Sequence, residues 1–167
     1  MEIWDAYLRD GTPANRDLVR GEPIPEGLYH LTCDILVRHT DGDYLLMLRS
    51  EAKPNYGGWY EATAGGSALK GEDSLTCALR ELREETGITI GQLTRIGQCT
   101  IKDTIYHQYL CITDQDKATV TLQPGETSGF RWLSEQDFAA FVRSDRMIPS
   151  QRERYRAYLT RMGYLTP

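Results

Sequence analysis

Four glutamates stand close together in the segment GSALKGEDSLTCALRELREETGI, residues 66–88. At about 100° of rotation per residue in an α-helix, Glu84 and Glu85 lie about 60° and 40° on either side of Glu81, so these three carboxylates share one helix face. Like charges at such spacings repel, by roughly a few tenths of a kcal/mol per pair. Carboxylate oxygens are ligands that Mg²⁺ and Mn²⁺ prefer. The spacing is therefore compatible with a divalent-metal site, although for such a run taken alone the commoner structure is an ordinary solvated face of an amphipathic helix.

The helix that carries these carboxylates is predicted to run from about Asp73 to Thr86 and to end at Gly87 as a C-terminal cap. Its apolar positions group on a different face, centred about 130° from Glu81 at about 100° per residue. That face is expected to be buried, and it consists of Leu75, Leu79, Leu82 and Thr86. Cys77 falls on the acidic face, where a small residue leaves room for metal and substrate.

The rest of the chain, which must position this helix, alternates between extended and helical patterns. The extended segments are residues 2–8, 30–39, 43–50, 59–64, 93–101, 106–112 and 130–133, with a further extended piece before Pro23. Asp41-Gly42 is a hairpin-turn signal between the second and third of them. Ser134 opens one helix as an N-cap, and Pro149-Ser150 starts a last amphipathic helix to about Met162. Strands with helices on both sides predict an α/β sandwich.

Length and composition bound the class of protein. A chain of 167 residues with 40% hydrophobic and 26% charged residues fits one globular domain. The net charge of −5 argues against binding to a nucleic acid polymer. No apolar run approaches the roughly 20 residues of a membrane span. The first residues lack the basic and apolar regions of a signal peptide, and the cysteines form no C-x-x-C pair, so a cytoplasmic protein with reduced thiols is expected.

The glutamate segment resembles the signature of the Nudix hydrolases, which combines a glycine, a following glutamate and an Arg-Glu-aliphatic-any-Glu-Glu-any-Gly-aliphatic run at fixed spacing. Every specified position is filled here, by Gly66, Glu72, Arg80, Glu81, Leu82, Glu84, Glu85, Gly87 and Ile88. The resemblance implies a Nudix-type α/β/α sandwich with a mixed central sheet. The expected fold is a single domain over residues 1–167. Its first 28 residues are expected to form either a hairpin or an arm that reaches a second subunit of a homodimer.

The implied activity is metal-dependent hydrolysis of a pyrophosphate linkage. The substrate would be a nucleoside diphosphate linked to another moiety, or a related small diphosphate, and the cofactor Mg²⁺ or Mn²⁺. The resemblance assigns the metal to Glu81, Glu84 and Glu85 and to the backbone carbonyl of Gly65. Arg80 is expected to hold the glutamates in place by ion pairing, which also offsets their repulsion. Glu72 is expected to serve mainly the junction between loop and helix.

The general base is the least determined assignment. Glu81 is the first choice because it lies at the centre of the acidic face. Glu126, in the loop QPGETSG at residues 123–129, is the rival, since a flexible glycine-flanked loop brings a carboxylate over the metals. His107 is a third candidate by its ordinary pKa, although its place in a strand favours a wall residue.

Two other functions are weighed against hydrolysis. Residues 2–88 look like the Nudix branch related to type I isopentenyl-diphosphate isomerases, but the stretch EATAGGS at 61–67 lacks the cysteine that those isomerases need. Cys33 lies on the preceding strand and is no evident substitute. A non-catalytic Nudix binding module typically loses motif glutamates, and none is lost here. The sequence does not identify the substrate-binding residues; candidates at pocket edges are Arg49, Lys53, Trp59, Tyr60, Tyr106 and His107.

Overall fold

The computed structural model describes all residues from Met1 to Pro167. Its strands are β1 (Ile3–Tyr7), β2 (Pro13–Val19), β3 (His30–His39), β4 (Tyr44–Arg49), β5 (Tyr60–Glu61), β6 (Ala64–Ser67), β7 (Thr94–Ile101), β8 (Thr104–Thr113) and β9 (Thr127–Leu133). Its helices are α1 (Ser74–Thr86), α2 (Glu135–Arg143), α3 (Pro149–Arg154) and α4 (Arg156–Arg161), with a short 3₁₀ helix at Lys117–Thr119. None of the helices is both long and apolar enough to cross a membrane.

The central sheet has seven strands and mixed pairing. β3 lies parallel to β8 along its whole length, and all other pairs are antiparallel: β3 with β4 and β6, β4 with β5 and β9, and β7 with β8. β3 and β4 pair only at Arg38 and Tyr44 and then diverge. The short strands β5 and β6 pair with β4 and β3 beyond this point. Thr63, between them, donates its hydroxyl to the Leu45 carbonyl at 2.7 Å and accepts the Val37 N–H at 3.0 Å.

Two hydrophobic cores cover the two faces of this sheet. One joins α1 to Cys33, Ile35 and Val37 of β3, and the other joins α2, α4 and Tyr155, which separates α3 from α4, to Leu36 and Tyr44. Successive residues of β3 thus serve opposite cores, as the alternation of side chains along a strand requires. Helices on both faces of a mixed sheet confirm the expected α/β/α sandwich.

Helix α1 begins and ends where the sequence predicts. Asp73 is the N-cap and accepts the Thr76 N–H at 2.8 Å, while Gly87 ends the helix in the left-handed conformation at φ 74°. The expected buried face is only partly correct. Leu82 and Thr86 are fully buried, but Leu75 is 40% exposed and Leu79 is half-buried.

The buried face of α1 is rotated towards the acidic face. Cys77 and Ala78 are fully buried, so the centre of the buried face lies about 60° from Glu81, where Ala78 stands, at about 100° per residue. Small side chains at these two positions allow the helix backbone to approach β6 and β3 closely. As a result Glu85, about 40° from Glu81, is carried into the interior together with Ala78.

Two further boundaries differ from the sequence-based expectation. The last amphipathic helix is divided at Tyr155, which ends α3 and precedes α4. The extended segment at 59–64 is divided into β5 and the start of β6, because Ala62 and Thr63 cross between the diverging strands. The first 28 residues contain the antiparallel hairpin β1–β2, which joins the rest of the fold through a bridge between Tyr7 and Tyr29 and through Trp4 stacked on His30.

Candidate active site

Two consecutive glycines bring β6 into contact with both β3 and α1. A Cβ atom on Gly65 would lie 2.6 Å from the Cys33 carbonyl oxygen, and one on Gly66 would lie 2.3 Å from the Glu81 Oε1 atom. Real Cβ atoms do not approach other atoms so closely, so any side chain at these positions would displace the strand or the glutamate. The glycine pair therefore holds backbone atoms directly against the acidic face of α1.

Arg80 binds three of the four signature glutamates at once. Its guanidinium contacts Glu72 through two bonds of 2.6 and 2.9 Å, Glu81 at 2.7 Å and Glu84 at 3.3 Å. It also donates to the Ser67 carbonyl at 3.1 Å, which ties the glycine strand to the helix. The pairing expected for Arg80 is thus present. Glu72 further accepts the Leu69 N–H at 2.9 Å and braces the loop before α1.

Glu85 is the signature glutamate without a basic partner. It is only 9% exposed, and its carboxylate accepts the Gly65 N–H at 3.3 Å. Burial raises the pKa of Glu85 well above its usual range, and the negative charges of Glu61, Glu81 and Glu126 raise it further. Burial also raises the pKa of Glu81, against the stabilising effect of Arg80. Three other carboxylates, those of Glu61, Glu81 and Glu126, therefore act on the charge of Glu85, which has no basic partner of its own.

Two basic side chains hold the outer carboxylates of this group. Arg49 donates to Glu61 at 3.1 Å and to the Asn55 carbonyl at 3.1 Å, and the side chains of Arg49 and Glu61 are 20% and 13% exposed. Lys53 forms a short ion pair with Glu126. Glu126 thus has Lys53 as its partner, and its negative charge acts on Glu85.

The donor set suits a divalent cation, although the side chains are not arranged around one. Every donor is a carboxylate or carbonyl oxygen, which Mg²⁺ and Mn²⁺ prefer. The unpaired, buried Glu85 carboxylate is the group that a cation would stabilise most. No three acidic, histidine or cysteine side chains are close enough in this conformation to hold a metal ion. Glu81 and Glu84 are instead turned to Arg80.

His107 and Cys77, which the sequence also brought into consideration, have their hydrogen-bond partners outside the carboxylate group. His107 bonds through Nδ1 to the Ser74 hydroxyl at 2.6 Å, at the start of α1, and burial lowers its pKa to about 4. Cys77 contacts the Gly66 carbonyl at 3.5 Å and is fully buried, so it packs in the core and does not line an open acidic face. The neighbouring Cys33 thiol and burial raise the pKa of Cys77, which disfavours a reactive thiolate.

A cavity of about 680 Å³ beside α2 does not contain the carboxylate group. Trp59 and Tyr60 line it together with Arg131 and residues of α2. Tyr60 packs against the core on the α2 side of the sheet, whereas its neighbour Glu61 acts on Glu85 on the α1 side. This cavity and the carboxylate group therefore lie on opposite sides of the sheet.

A second polar group lies on the opposite face of the sheet. Arg154 of α3 donates to both oxygens of Asp34, at 2.7 and 3.1 Å, and its guanidinium stacks 4.7 Å from the centre of the Tyr106 ring. The Asp34 and Arg154 side chains are 6% and 14% exposed. Gln151 of α3 accepts the Ala62 N–H at 3.0 Å. These bonds attach α3 to the segment that leads into Gly65 and Gly66.

Sequence reasoning missed Glu61, Asp34 and Arg154. A charged residue inside a short apolar strand was the available signal for Glu61 in WYEATAGG and for Asp34 in HLTCDILV. No local pattern indicates that Arg154, 120 positions along the chain, is the partner of Asp34.

Comparison with known proteins identifies the family. The family model of the NUDIX domain matches residues 28–158. The uncharacterized Nudix hydrolase lin0387 of Listeria innocua is 30% identical over 151 residues, which cover 89% of each chain. The chain therefore belongs to the Nudix hydrolase family, and it is a Nudix-type pyrophosphohydrolase, an acid anhydride hydrolase.

Solved structures agree on the fold. DR0079 from Deinococcus radiodurans superposes with a TM-score of 0.73 at 20% identity and covers 98% of this chain and 100% of its own. The NUDIX domain of Shewanella oneidensis NrtR, crystallised with ADP ribose, gives a TM-score of 0.56 at 16% identity over 67% of this chain and 77% of its own. Nudix hydrolases generally act on small molecules and need a divalent metal.

Proposed function

We propose that this protein hydrolyses a pyrophosphate linkage in a nucleoside diphosphate linked to another moiety, or in a related diphosphate, with Mg²⁺ or Mn²⁺ as cofactor. The observation that carries the proposal is the buried Glu85 carboxylate, which has no basic partner and is repelled by the negative charges of Glu61, Glu81 and Glu126. An excess of buried negative charge destabilises the folded protein, and a bound cation would offset that cost.

Glu81, Glu84, Glu85 and the Gly65 carbonyl would hold the metal, and Arg80 keeps the helix glutamates oriented. When bound, the metal neutralises phosphate charge and lowers the pKa of water. In the reaction the oxygen of a water molecule forms a bond to one phosphorus, and the bridging P–O bond breaks. The departing phosphate keeps the electron pair of that bond. A carboxylate of the enzyme accepts the proton that the water loses.

Glu81 is our first choice for that carboxylate and Glu126 the second. Burial raises the pKa of Glu81, which makes it a stronger base than an exposed glutamate. Glu126 is more exposed and already holds Lys53. His107 is the weakest candidate, because its hydrogen bond to Ser74 places it at the other end of α1.

The structure favours hydrolysis over the two alternatives. Cys33 is fully buried and donates its thiol to the Ser74 carbonyl at 3.2 Å, so it offers no accessible acid or nucleophile for an isomerase reaction. The complete glutamate set disfavours a binding module. A single domain over residues 1–167, a cytoplasmic location and a homodimer stay predictions.

A substrate panel with and without metal tests this function. The purified protein is incubated with ADP-ribose, other nucleoside diphosphate derivatives, dinucleotide polyphosphates and isopentenyl diphosphate, with Mg²⁺, Mn²⁺ or excess chelator. We expect phosphate or nucleotide release that disappears with chelator and returns with metal, and a melting temperature that rises with metal. Full turnover in chelator would contradict the mechanism, and an allylic product without hydrolysis would support the isomerase.

The same assay separates the candidate bases. Glu81→Gln, Glu126→Gln and His107→Ala are compared in kcat and pH–rate profile at saturating metal, and the base should lose the most kcat. If Glu81→Gln keeps more than roughly a tenth of the wild-type kcat, less than a positioned base usually contributes, Glu81 is not the base.

A further inference from the structure

Lys53 and Arg49 hold the carboxylate group in different ways. Arg49 has two fixed partners, the buried Glu61 carboxylate and the Asn55 carbonyl. Lys53 has one side-chain partner, Glu126, and the side chains of this pair are 23% and 43% exposed. A partly exposed ion pair contributes little to stability, so Lys53 can leave Glu126 at a small free-energy cost.

The backbone around Lys53 is nevertheless fixed. The Ser50 N–H donates to the Glu126 carbonyl at 2.9 Å, and the Lys53 N–H donates to the Ser50 carbonyl at 3.0 Å. A Cβ on Gly57 would lie 2.9 Å from the Lys53 carbonyl, so this loop closes tightly on itself. The ammonium group is therefore carried by a long, flexible side chain on a backbone that is held beside Glu126.

We propose that Lys53 changes partner during the catalytic cycle, from Glu126 in the metal-free protein to the diphosphate of the substrate once a divalent cation held by Glu81, Glu84 and Glu85 has taken Glu126 as a further ligand. The inference rests on the proposed function. An ammonium ion on a flexible stem is a compact point charge that suits phosphate oxygens. Lys53 is then a residue for substrate recognition that also competes with the metal for one carboxylate.

This exchange predicts opposite effects in one variant. Without the competing ammonium, Lys53→Met should bind Mn²⁺ in the absence of substrate about two- to five-fold more tightly, as expected for loss of a partly exposed ion pair. The same variant should bind methylenediphosphonate, a non-hydrolysable diphosphate, about ten-fold more weakly in the presence of Mn²⁺, since a charge-assisted bond is lost. Both constants are measurable by titration calorimetry without turnover.

A double-mutant cycle separates exchange from a general charge effect. If Lys53 competes with the metal through Glu126, Lys53→Met should change Mn²⁺ affinity little when introduced into Glu126→Gln. A simple loss of positive charge would tighten Mn²⁺ binding equally in both backgrounds. Should Glu126→Gln bind no Mn²⁺ at all, Glu126 is an indispensable ligand. The test is then Lys53→Met alone, which must bind Mn²⁺ more tightly and methylenediphosphonate more weakly than the wild type.

Lys70→Met is the matched control. Lys70 pairs with Asp17 at 2.7 Å on the N-terminal hairpin and should leave both constants at wild-type values. Unchanged binding of both probes by Lys53→Met would overturn the proposal, as would weaker binding of both. Wild-type protein that binds no Mn²⁺ and cleaves no substrate would instead overturn the proposed function.

Discussion

The two faces of the central sheet carry polar groups that differ in their balance of positive and negative charge. On the α3 side, one aspartate meets one arginine through two hydrogen bonds, and both side chains are nearly inaccessible. On the α1 side, Arg80 serves three glutamates, and the buried Glu85 has no basic partner. Both groups lie close to Gly65, yet only one has an excess of negative charge.

This difference separates a structural role from a chemical one. A matched, fully hydrogen-bonded ion pair has little to gain from a ligand, and it fixes the position of α3 against β3. The unmatched group is destabilising in the metal-free protein and gains stability when a cation arrives. Variants of Glu85 and of Arg154 should therefore shift activity and stability in contrasting ways.

The largest expected effect is the loss of activity in Glu85→Gln. The amide keeps the shape of the side chain but removes the charge that would hold the metal, so kcat should fall about 100-fold or more. Initial rates at saturating metal and substrate measure this loss. Glu135→Gln, which alters an exposed acid paired with Arg38 at 3.2 Å on the α2 side, should keep nearly wild-type kcat. If Glu85→Gln keeps more than about a tenth of the wild-type kcat, Glu85 does not hold the metal.

The next effect is a loss of stability in Arg154→Met. Removing the arginine leaves the Asp34 carboxylate buried without a partner, at a cost of about 3–5 kcal/mol. For a chain of this size the melting temperature should fall by about 10 °C, while kcat of the folded protein at low temperature should change far less than in Glu85→Gln.

Replacing both partners provides the control for Arg154→Met. Asp34→Leu combined with Arg154→Met leaves no buried charge and should recover much of the lost stability. A wild-type melting temperature in Arg154→Met alone would show that the pair is not structural.

The smallest expected effect is a gain of stability in Glu85→Gln without metal. The pKa of Glu85 is raised in the folded state, so the folded state favours its protonated form. The cost of ionising Glu85 is absent below its unfolded pKa of about 4.5 and grows as the pH rises through the folded value. Relative to wild type, Glu85→Gln should thus gain nothing near pH 4 and most at alkaline pH.

A gain of about 1 kcal/mol would raise the melting temperature by about 2–4 °C. Thermal melts in chelator at a series of pH values measure it. Glu84→Gln is the comparison, because Glu84 is exposed and already paired with Arg80. A lower melting temperature for Glu85→Gln at alkaline pH would show that its charge is satisfied in the fold.

Local sequence signals predicted most of the fold. The bounds of α1 depend on Asp73 and Gly87, whose roles are set by adjacent backbone groups. The hairpin between β3 and β4 likewise depends on a two-residue turn signal. The same signals located Arg80 among the signature glutamates, because the members of that group lie within one turn or two of each other.

Features that depend on distant parts of the chain were not predictable in this way. The exposure of Leu75 follows from the close approach of Cys77 and Ala78 to two strands, which helical periodicity alone does not contain. The division of the last helix at Tyr155 and the pairing of Arg154 with Asp34 depend on how α3 docks on β3. Glu61 enters the site because β5 fills the gap between diverging strands.

The N-terminal hairpin supports the site from outside the matched family region, which begins at residue 28. The Ile3 carbonyl accepts the Lys70 N–H at 2.9 Å, and the Asp5 carboxylate accepts the Gly71 N–H at 2.7 Å. The loop that contains Glu72 and leads into α1 is thus hydrogen-bonded to residues that the signature does not include. Substitutions in the hairpin can therefore change how the loop before α1 is held, and with it the position of Glu72, while every signature residue stays the same.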